Sequence, residues 1–241
     1  MAQNIYDDPA FFGGYSELPR SVHGLDAAPE WPALRALLPA LAGKRVVDLG
    51  CGFGWFCRYA AAEGAREVLG LDVSENMLAR AKAQTSQASV GYRRADLETL
   101  DLPAAAFDLA YASLALHYVA DLGRLLTTVQ RALVPGGCFV FSIEHPIFMA
   151  SRQAGWIAHA GGRAWPVDSY FREGPRTTTW FTDGVVKQHR TIGTTLTLLM
   201  RHDFTIAHVE EWRPSDAQIA AQVALAEELD RPMFLIVAAD R

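Results

Sequence analysis

The apolar positions of the chain fall into two kinds of segment that alternate from residue 45 onwards. Short apolar runs rich in β-branched and aromatic residues predict strands. The seven predicted strands are Arg45–Leu49, Val68–Leu71, Ser89–Arg94, Phe107–Ala112, Cys138–Ile143, Phe204–Val209 and Met233–Ala239. Apolar residues at helical spacing predict the helices, which are residues 28–42, Trp55–Glu63, a helix from Ser74, Leu122–Leu133, Ile192–Arg201 and Ser215–Leu229. Such alternation is typical of an α/β protein with a doubly wound sheet.

Two segments lie outside this alternation. Residues 1–25 are rich in Gly, Pro and Asp and predict an irregular arm anchored by its aromatic side chains. A second segment, about residues 146–188, separates the fifth strand from the next helix and is rich in aromatic residues. Within it, Thr178–Lys187 predicts a hairpin with Asp183-Gly184 at the turn. We expect this insertion to form a lid over an organic substrate, with a dimer interface as the alternative use of its aromatic surface.

Composition favours one enzyme-sized domain over residues 1–241. Half of the 241 residues are hydrophobic, so the chain can bury a substantial core. The formal net charge of −5 disfavours a nucleic-acid partner held through phosphate contacts. The three cysteines, an odd number without C-x-x-C spacing, suit a reducing compartment. The first residues lack a signal-peptide pattern, and no apolar run approaches the roughly 18 residues of a membrane span. We therefore expect a soluble cytoplasmic protein, monomeric or homodimeric, with no membrane partner.

The strand Arg45–Leu49 leads into three glycines at alternating positions, and a helix follows. Glycine tolerates positive φ and has no Cβ, so Gly50, Gly52 and Gly54 can bring the backbone close to a ligand and present N–H groups to it. The helix after them directs its positive N-terminal end towards the same space. The order of strand, tight turn and helix therefore predicts a nucleotide pocket.

The spacing of these glycines excludes the dinucleotide fingerprint G-x-G-x-x-G. Its third glycine would fall on Trp55 or on Cys57, depending on the register. The sequence instead completes Asp-x-Gly-x-Gly-x-Gly from Asp48 to Gly54. This motif resembles the first motif of the class I S-adenosylmethionine (SAM) dependent methyltransferases.

Further motifs extend the resemblance over residues 44–143. They include Phe107-Asp108, which opens the fourth strand, and the phrase Arg131–Gly137 before the fifth. The chain is similar to the small-molecule methyltransferases of the ubiquinone and biotin biosynthesis group. The resemblance implies a Rossmann-like, seven-stranded, mostly parallel sheet with helices on both faces and the last strand antiparallel, with the insertion placed after the fifth strand. It also implies SAM as the cofactor and S-adenosylhomocysteine as the product.

Asp72 ends the second strand, about twenty residues beyond the glycine turn. In a doubly wound sheet this position lies beside the end of the first strand, where a carboxylate can accept hydrogen bonds from both ribose hydroxyls. Ser74 is a good N-cap for the following helix, so we expect Asp72 to be free for the ligand. One of Val73 and Met77 is expected to touch the ribose or the methionine.

The resemblance assigns cofactor contacts to other positions as well. It places Asp96 and the backbone N–H of Leu97 against the adenine, and Tyr15 or Arg20 of the arm near the methionine carboxylate. The expected cofactor-binding residues are Tyr15, Arg20, Asp48, Gly50, Cys51, Gly52, Gly54, Asp72, Val73, Met77, Asp96, Leu97, Ser113 and His117.

Ionisable side chains near the carboxyl ends of the strands are the candidates for catalysis. His117, next to Tyr118, follows the fourth strand, and Glu144-His145 end the fifth. His189 lies where the chain returns from the insertion. Because open α/β sheets bind ligands at this edge, we expect His117, Glu144, His145 and His189 to contact the acceptor or act as general bases, with structural hydrogen bonding as the alternative role. No spacing of His and carboxylate residues argues for a metal.

These features predict methyl transfer to a small organic metabolite by in-line displacement. A macromolecular acceptor, such as tRNA or protein, is one alternative. The segment after the fourth strand, Ser113–Leu116, lacks the Asn/Asp-Pro-Pro-aromatic tetrad of the amino-methylating nucleic-acid enzymes, yet the insertion region collects basic residues. These are Arg163, Arg172, Arg176, Lys187 and Arg190. A SAM-binding module without catalysis is the other alternative.

Overall fold

A computed structural model describes residues 3–241, which fold around one seven-stranded sheet. The strands of the described chain are β1 Arg45–Leu49, β2 Glu67–Asp72, β3 Val90–Arg94, β4 Phe107–Ser113, β5 Leu133–Glu144, β6 Ile157–His159, β7 Gly162–Ala164, β8 Gly174–Trp180, β9 Thr182–His189, β10 Thr205–Glu211 and β11 Phe234–Asp240. The large sheet has the order β10-β11-β5-β4-β1-β2-β3. All pairings from β3 to β5 are parallel, and only β11 runs antiparallel to its two neighbours. The expected mostly parallel sheet with an antiparallel last strand is confirmed.

Helices cover both faces of this sheet. They are α1 Pro9–Ser16, α2 Pro19–His23, α3 Trp31–Ala36, α4 Trp55–Ala62, α5 Glu75–Ala83, α6 Leu122–Ala132, α7 Pro146–Ala150, α8 Ile192–Arg201 and α9 Asp216–Ala221. Successive strand residues point to opposite faces, so Val46 packs with α3 and α4 while Val47 packs with α6 and α8. An apolar layer therefore packs against each face of the sheet. Within residues 3–241, no helix is both long and apolar enough to cross a bilayer.

The N-terminal arm is helical rather than irregular, which corrects the sequence-based expectation. Asp8 caps α1, because its side chain accepts a hydrogen bond from the backbone N–H of Phe11 at 2.9 Å. Pro9 and Pro19 each occupy the first turn of a helix, where the missing N–H costs nothing. The two prolines were helix-start signals, and they outweigh the glycines between them.

Two predicted helices are shorter than expected. The helix predicted over residues 28–42 spans only Trp31–Ala36, because Pro39 disfavours helical backbone at the residue before it. The helix predicted over Ser215–Leu229 is α9 followed by a 3-10 segment, Val223–Leu229. Strand β5 begins earlier than predicted, at Leu133, with the Pro-Gly-Gly sequence accommodated where its register with β4 shifts.

The insertion after β5 contains α7 and two hairpins, β6–β7 and β8–β9. The turn of the second hairpin lies at Phe181, which has φ +59°, and the prediction of a turn at Asp183-Gly184 is wrong. The Phe181 ring packs against Phe11 of the arm with ring centroids 5.6 Å apart. Ring contacts with Phe11 and with Trp180, 5.0 Å away, hold Phe181 at this turn, although 42% of the residue stays exposed.

Candidate active site

A cavity of about 670 Å³ opens at the carboxyl edge of the sheet. Its floor is formed by the ends of β1, β2, β4 and β5 and by the loop after β3. The arm and the insertion supply its walls and roof. Residues of both segments thus line one cavity, and the role of the insertion as a lid stays a prediction.

The glycine turn forms the wall of the cavity next to β1. Gly50, Gly52 and Gly54 have φ of +81°, +51° and +72°. A Cβ on Gly50 would lie 2.4 Å from the Cβ of Ala115, and a Cβ on Gly54 would lie 2.1 Å from the hydroxyl of Tyr92. Both positions therefore need glycine for its backbone freedom and for its small size. Gly50 and Cys51 line the cavity, whereas Gly52 and Gly54 shape the turn behind it.

Asp72 lies at the end of β2 and joins the glycine turn to α5. Its Oδ2 accepts from the N–H of Gly52 at 2.9 Å, and its Oδ1 accepts from the N–H of Ser74 at 2.9 Å. Ser74 caps α5 as expected, by accepting from the N–H of Met77 at 3.1 Å, and the availability of Asp72 for a ligand stays a prediction. Each carboxylate oxygen has a further lone pair, and Asp72 lines the cavity. Burial raises the pKa of this carboxyl.

Asp48 is the deepest acid of the site. Its side chain is buried, and its Oδ2 accepts from the thiol of Cys57 at 3.3 Å. Burial raises the pKa of Asp48 to about 7, and the nearby carboxylate of Asp72 adds to the effect. At neutral pH the group is therefore close to half protonated, which is an unusual state for a carboxyl group.

We predict that Asp48→Asn flattens the pH dependence of folding stability. The pKa of this carboxyl is higher in the folded protein than in the unfolded chain, so the folded state retains its proton between about pH 4 and pH 7. The retained proton of Asp48 therefore stabilises the folded protein at low pH, and this contribution to the free energy of unfolding is lost as the pH rises through 7. Asparagine has no proton to lose and is expected to raise the free energy of unfolding by up to about 4 kcal/mol at pH 8. Denaturant titrations at pH 5 and pH 8 measure the slope; an unchanged slope would show that Asp48 is ionised throughout.

Other expected cofactor residues surround the same space. Cys51, Val73, Met77, Asp96, Leu97 and Ser113 all line the cavity. Asp96 also accepts from the N–H of Glu98 at 2.9 Å, which fixes the loop after β3. The backbone arrangement thus brings five strand ends and their side chains to one ligand-sized space.

The first residues of the arm are held by hydrogen bonds to two other segments of the chain. Asp7 accepts from the hydroxyl of Ser74 at 2.5 Å and from the N–H of Asn76 at 3.1 Å, so it caps α5 from outside. Gln3 donates to the carbonyl of Gly184 at 2.8 Å and accepts from the N–H of Val186 at 2.9 Å. The arm therefore links the start of α5 to the second hairpin of the insertion.

Tyr15 and Arg20 of the arm both line the cavity. Nη2 of Arg20 donates to both carboxylate oxygens of the buried Glu30 side chain, each at 2.9 Å. The positive charge of Arg20 is thus already compensated by the protein. Tyr15 packs edge-on against Tyr6 and Phe53, with ring centroids 5.2 Å and 5.8 Å away.

The four catalytic candidates separate into two groups. His117 and Glu144 line the cavity. His145 is fully buried elsewhere; its Nδ1 accepts from the N–H of Ile147 at 3.0 Å and its Nε2 lies 2.9 Å from Glu211. His189 is also fully buried, with Nε2 2.8 Å from the carbonyl of Tyr170. Neither histidine lines the cavity, so the expectation that they face it is wrong. His145 caps α7 and His189 contacts the carbonyl of Tyr170, which is the alternative, structural role.

Several cavity residues were not predicted. Tyr6, Trp55 and Phe148 belong to this group, as do Arg176 and Trp180 of β8 and Lys187 of β9. Arg176, Thr178 and Trp180 alternate along β8, so they share one face of the hairpin. The period of two was visible in the sequence, but the sequence did not show which face of the hairpin covers the site.

Comparison with known proteins places the chain in a family. The model of the family described as a methyltransferase domain matches residues 47–141. The crystal structure of an S-adenosylmethionine-dependent methyltransferase from Mesorhizobium loti is 62% identical and superimposes with a TM-score of 0.87, over 90% of this chain and 100% of that one. The chain belongs to the class I SAM-dependent methyltransferases.

Two curated relatives of this methyltransferase align with most of its length. An uncharacterised protein from Haemophilus influenzae is 32% identical over 217 residues, which cover 86% of this chain and 85% of the relative. The malonyl-[acyl-carrier protein] O-methyltransferase of Salmonella typhimurium is 31% identical over 209 residues, 78% of this chain and 76% of the relative. Other proteins of that name match over 110 residues, less than half of their own length.

The cavity suits the cofactor of the family. Its volume lies within the range of small-molecule sites, and its cofactor end offers a carboxylate for hydroxyl groups beside a turn that only glycine can form. Bound SAM supplies a methyl group already activated on a sulfonium. The contribution of the protein is to bind, to orient the acceptor and to exclude water.

Proposed function

We propose that this SAM-dependent methyltransferase methylates a small organic acceptor at the insertion end of the cavity. The observation that carries the proposal is the continuity of one cavity from the glycine turn and Asp72 to the aromatic side chains Trp165 and Trp180 of the insertion. A flat organic group fits between such rings, whereas a nucleic acid would need an open, basic groove.

Within this proposal, the cofactor end has defined roles. Asp72 accepts from the ribose hydroxyls, and Asp96 with Leu97 binds the adenine. The glycine turn and Tyr15 enclose the methionine end, with Arg20 held at the rim by Glu30. His117 and Glu144, at the ends of β4 and β5, then face the acceptor. The support for these roles is that the residues proposed to touch the ligands line one cavity; these are Tyr15, Arg20, Gly50, Asp72, Asp96, Leu97, His117 and Glu144.

An acyl group attached to a carrier protein is a second candidate acceptor. The Salmonella relative carries the name malonyl-[acyl-carrier protein] O-methyltransferase, and it aligns over 76% of its length. The insertion presents three exposed arginines, which an acidic carrier protein could contact; these are Arg152, Arg163 and Arg172.

We predict that methyl-labelled SAM transfers its label to the low-molecular-mass fraction of a cell extract when the protein is present. The labelled product is identified by mass spectrometry, with S-adenosylhomocysteine measured in parallel. Asp72→Asn protein serves as the control for unspecific labelling. Label in the protein fraction would favour a carrier-bound acceptor, and release of no S-adenosylhomocysteine would reject methyl transfer altogether.

A further inference from the structure

We infer that the acceptor enters the site as an oxyanion, of which a carboxylate is the fitting class, and that His117 binds this oxyanion as an N–H donor instead of removing a proton. The inference rests on the proposed function and names its substrate class. Three features carry it: the hydrogen bonding of His117, the charges of the second hairpin, and the engagement of Glu144.

The proton position on His117 follows from its neighbour. The backbone N–H of Glu144 donates to Nδ1 of His117 at 3.3 Å, and an N–H group can only donate. Nδ1 therefore carries no proton, so the proton of the neutral ring lies on Nε2. His117 lines the cavity, and within residues 3–241 its Nε2 makes no hydrogen bond to the protein. The ring thus offers one N–H donor to the acceptor.

The environment of the His117 ring disfavours its protonation to an imidazolium. It is buried, and Lys187 and Arg190 lie nearby. Burial, reinforced by these two positive charges, holds the pKa of His117 well below its ordinary value. A neutral histidine with hydrogen on Nε2 has no lone pair facing the cavity, so it cannot accept a proton from the substrate there.

The second hairpin places two cations on one face. Arg176 and Lys187 are directly opposite each other in the register of β8 and β9, and both are buried. Like charges in this position repel each other. Glu144 forms an ion pair with Lys187, which compensates one of them.

Arg176 has no such compensation. It donates to four backbone carbonyls, and within the described chain no carboxylate lies within ion-pairing distance of it; Arg152 and Asp168 act on it only from further away. Its carbonyl partners belong to Ala150, Ser169, Arg172 and Pro175. Four of its five N–H groups are used, so one on Nη1 is left. A buried charge without a counter-ion is costly, and an anionic ligand in the adjoining cavity would reduce that cost.

A carboxylate acceptor also balances the chemistry without a base. A lone pair of the carboxylate oxygen forms the new O–CH3 bond while the methyl–sulfur bond breaks. The electron pair of the broken bond stays on sulfur, which gives S-adenosylhomocysteine. No proton leaves. A phenol or ammonium acceptor would have to lose one, but Nε2 of His117 already carries hydrogen and Glu144 is paired with Lys187. The product, a neutral methyl ester, no longer attracts the cations, which favours its release.

Ligand binding tests the inference without turnover. Phenylacetate, hexanoate and their primary amides are titrated by calorimetry into protein saturated with S-adenosylhomocysteine. We expect the acids to bind at least about tenfold more tightly than the amides, since charge-assisted hydrogen bonds are worth about 1.5–3 kcal/mol. Arg176→Gln and Lys187→Gln should remove this preference, while Arg93→Gln, an exposed change outside the cavity, should leave it. Acids that bind no better than the amides would overturn the inference.

Two further measurements concern His117 itself. Nitrogen-15 spectra of histidine-labelled protein should show His117 as the Nε2–H tautomer throughout the neutral pH range, with the signal assigned by its loss in His117→Gln. Glutamine retains an N–H donor but is no base, so His117→Gln should keep methyl transfer within about tenfold, whereas loss of a general base costs about 100-fold or more. An imidazolium or Nδ1–H signal, or the larger loss, would overturn the donor role. Label transfer to a neutral amine or phenol would do the same while leaving the proposed function intact.

Discussion

Asp72→Asn is expected to weaken SAM binding by about ten- to one-hundredfold. The carboxylate accepts from the N–H groups of Gly52 and Ser74, and we propose that it also accepts from the ribose hydroxyls. Asparagine retains the size but has one acceptor oxygen and no charge. Hydrogen bonds to a charged group contribute about 1.5–3 kcal/mol, and a loss of that size gives the expected range. Calorimetric titration with SAM measures the change directly.

Asp101→Asn is the matched control for this substitution. The Asp101 side chain is 84% exposed, pairs with Arg131 at the surface and does not line the cavity. Its substitution should leave SAM affinity unchanged. If Asp72→Asn binds SAM as tightly as the unmodified protein, the cofactor does not use this carboxylate and the proposed placement of the ribose is wrong.

Gly50→Ala is expected to destabilise the fold by about 2–5 kcal/mol and to abolish SAM binding. A left-handed backbone costs a residue with a Cβ about 1–2 kcal/mol, and Gly50 has φ +81°. The added methyl group would also lie 2.4 Å from the Cβ of Ala115, and overpacking of this kind costs about 1–3 kcal/mol. The turn must move to relieve the contact, so it no longer fits a ligand. Chemical denaturation and SAM titration test the two parts of the prediction.

Gly43→Ala separates backbone strain from the steric contact. Gly43 has φ +74°, close to that of Gly50, but nothing lies within 4 Å of a Cβ placed there. Its substitution should cost only about 1–2 kcal/mol and leave SAM affinity unchanged. Equal destabilisation by both variants would mean that the contact with Ala115 is relieved without cost.

The parts of the site that the sequence predicts are those encoded locally. The glycine turn is visible because three glycines at alternating positions after a strand have few structural uses other than a tight turn. Asp72 is visible because it ends the next strand, and parallel strands bring such ends together. The seven strands were predicted for the same reason, since each apolar run stands between clear turn signals.

The parts that the sequence does not predict depend on distant partners. His117 and His145 both follow strands, yet one ring faces the cavity and the other caps α7, a choice made by the packing around each. The hairpin turn lies at Phe181 because the arm, over 160 positions earlier, provides a surface for that ring. Arg176 and Lys187 line the cavity because of how the insertion folds over it. No local sequence pattern shows which face of the hairpin is turned towards the cavity.

The tryptophans of the cavity should make ligand binding visible in the intrinsic fluorescence of the protein. Three of the six, Trp55, Trp165 and Trp180, line the cavity. Trp55 lies beside the glycine turn, whereas Trp180 has the ammonium of Lys187 4.9 Å from its ring. Indole emission depends on polarity and on nearby charge, so a ligand at either end changes a different fluorophore. Intrinsic fluorescence should therefore follow the occupation of the two halves of the site separately, without a label on protein or ligand.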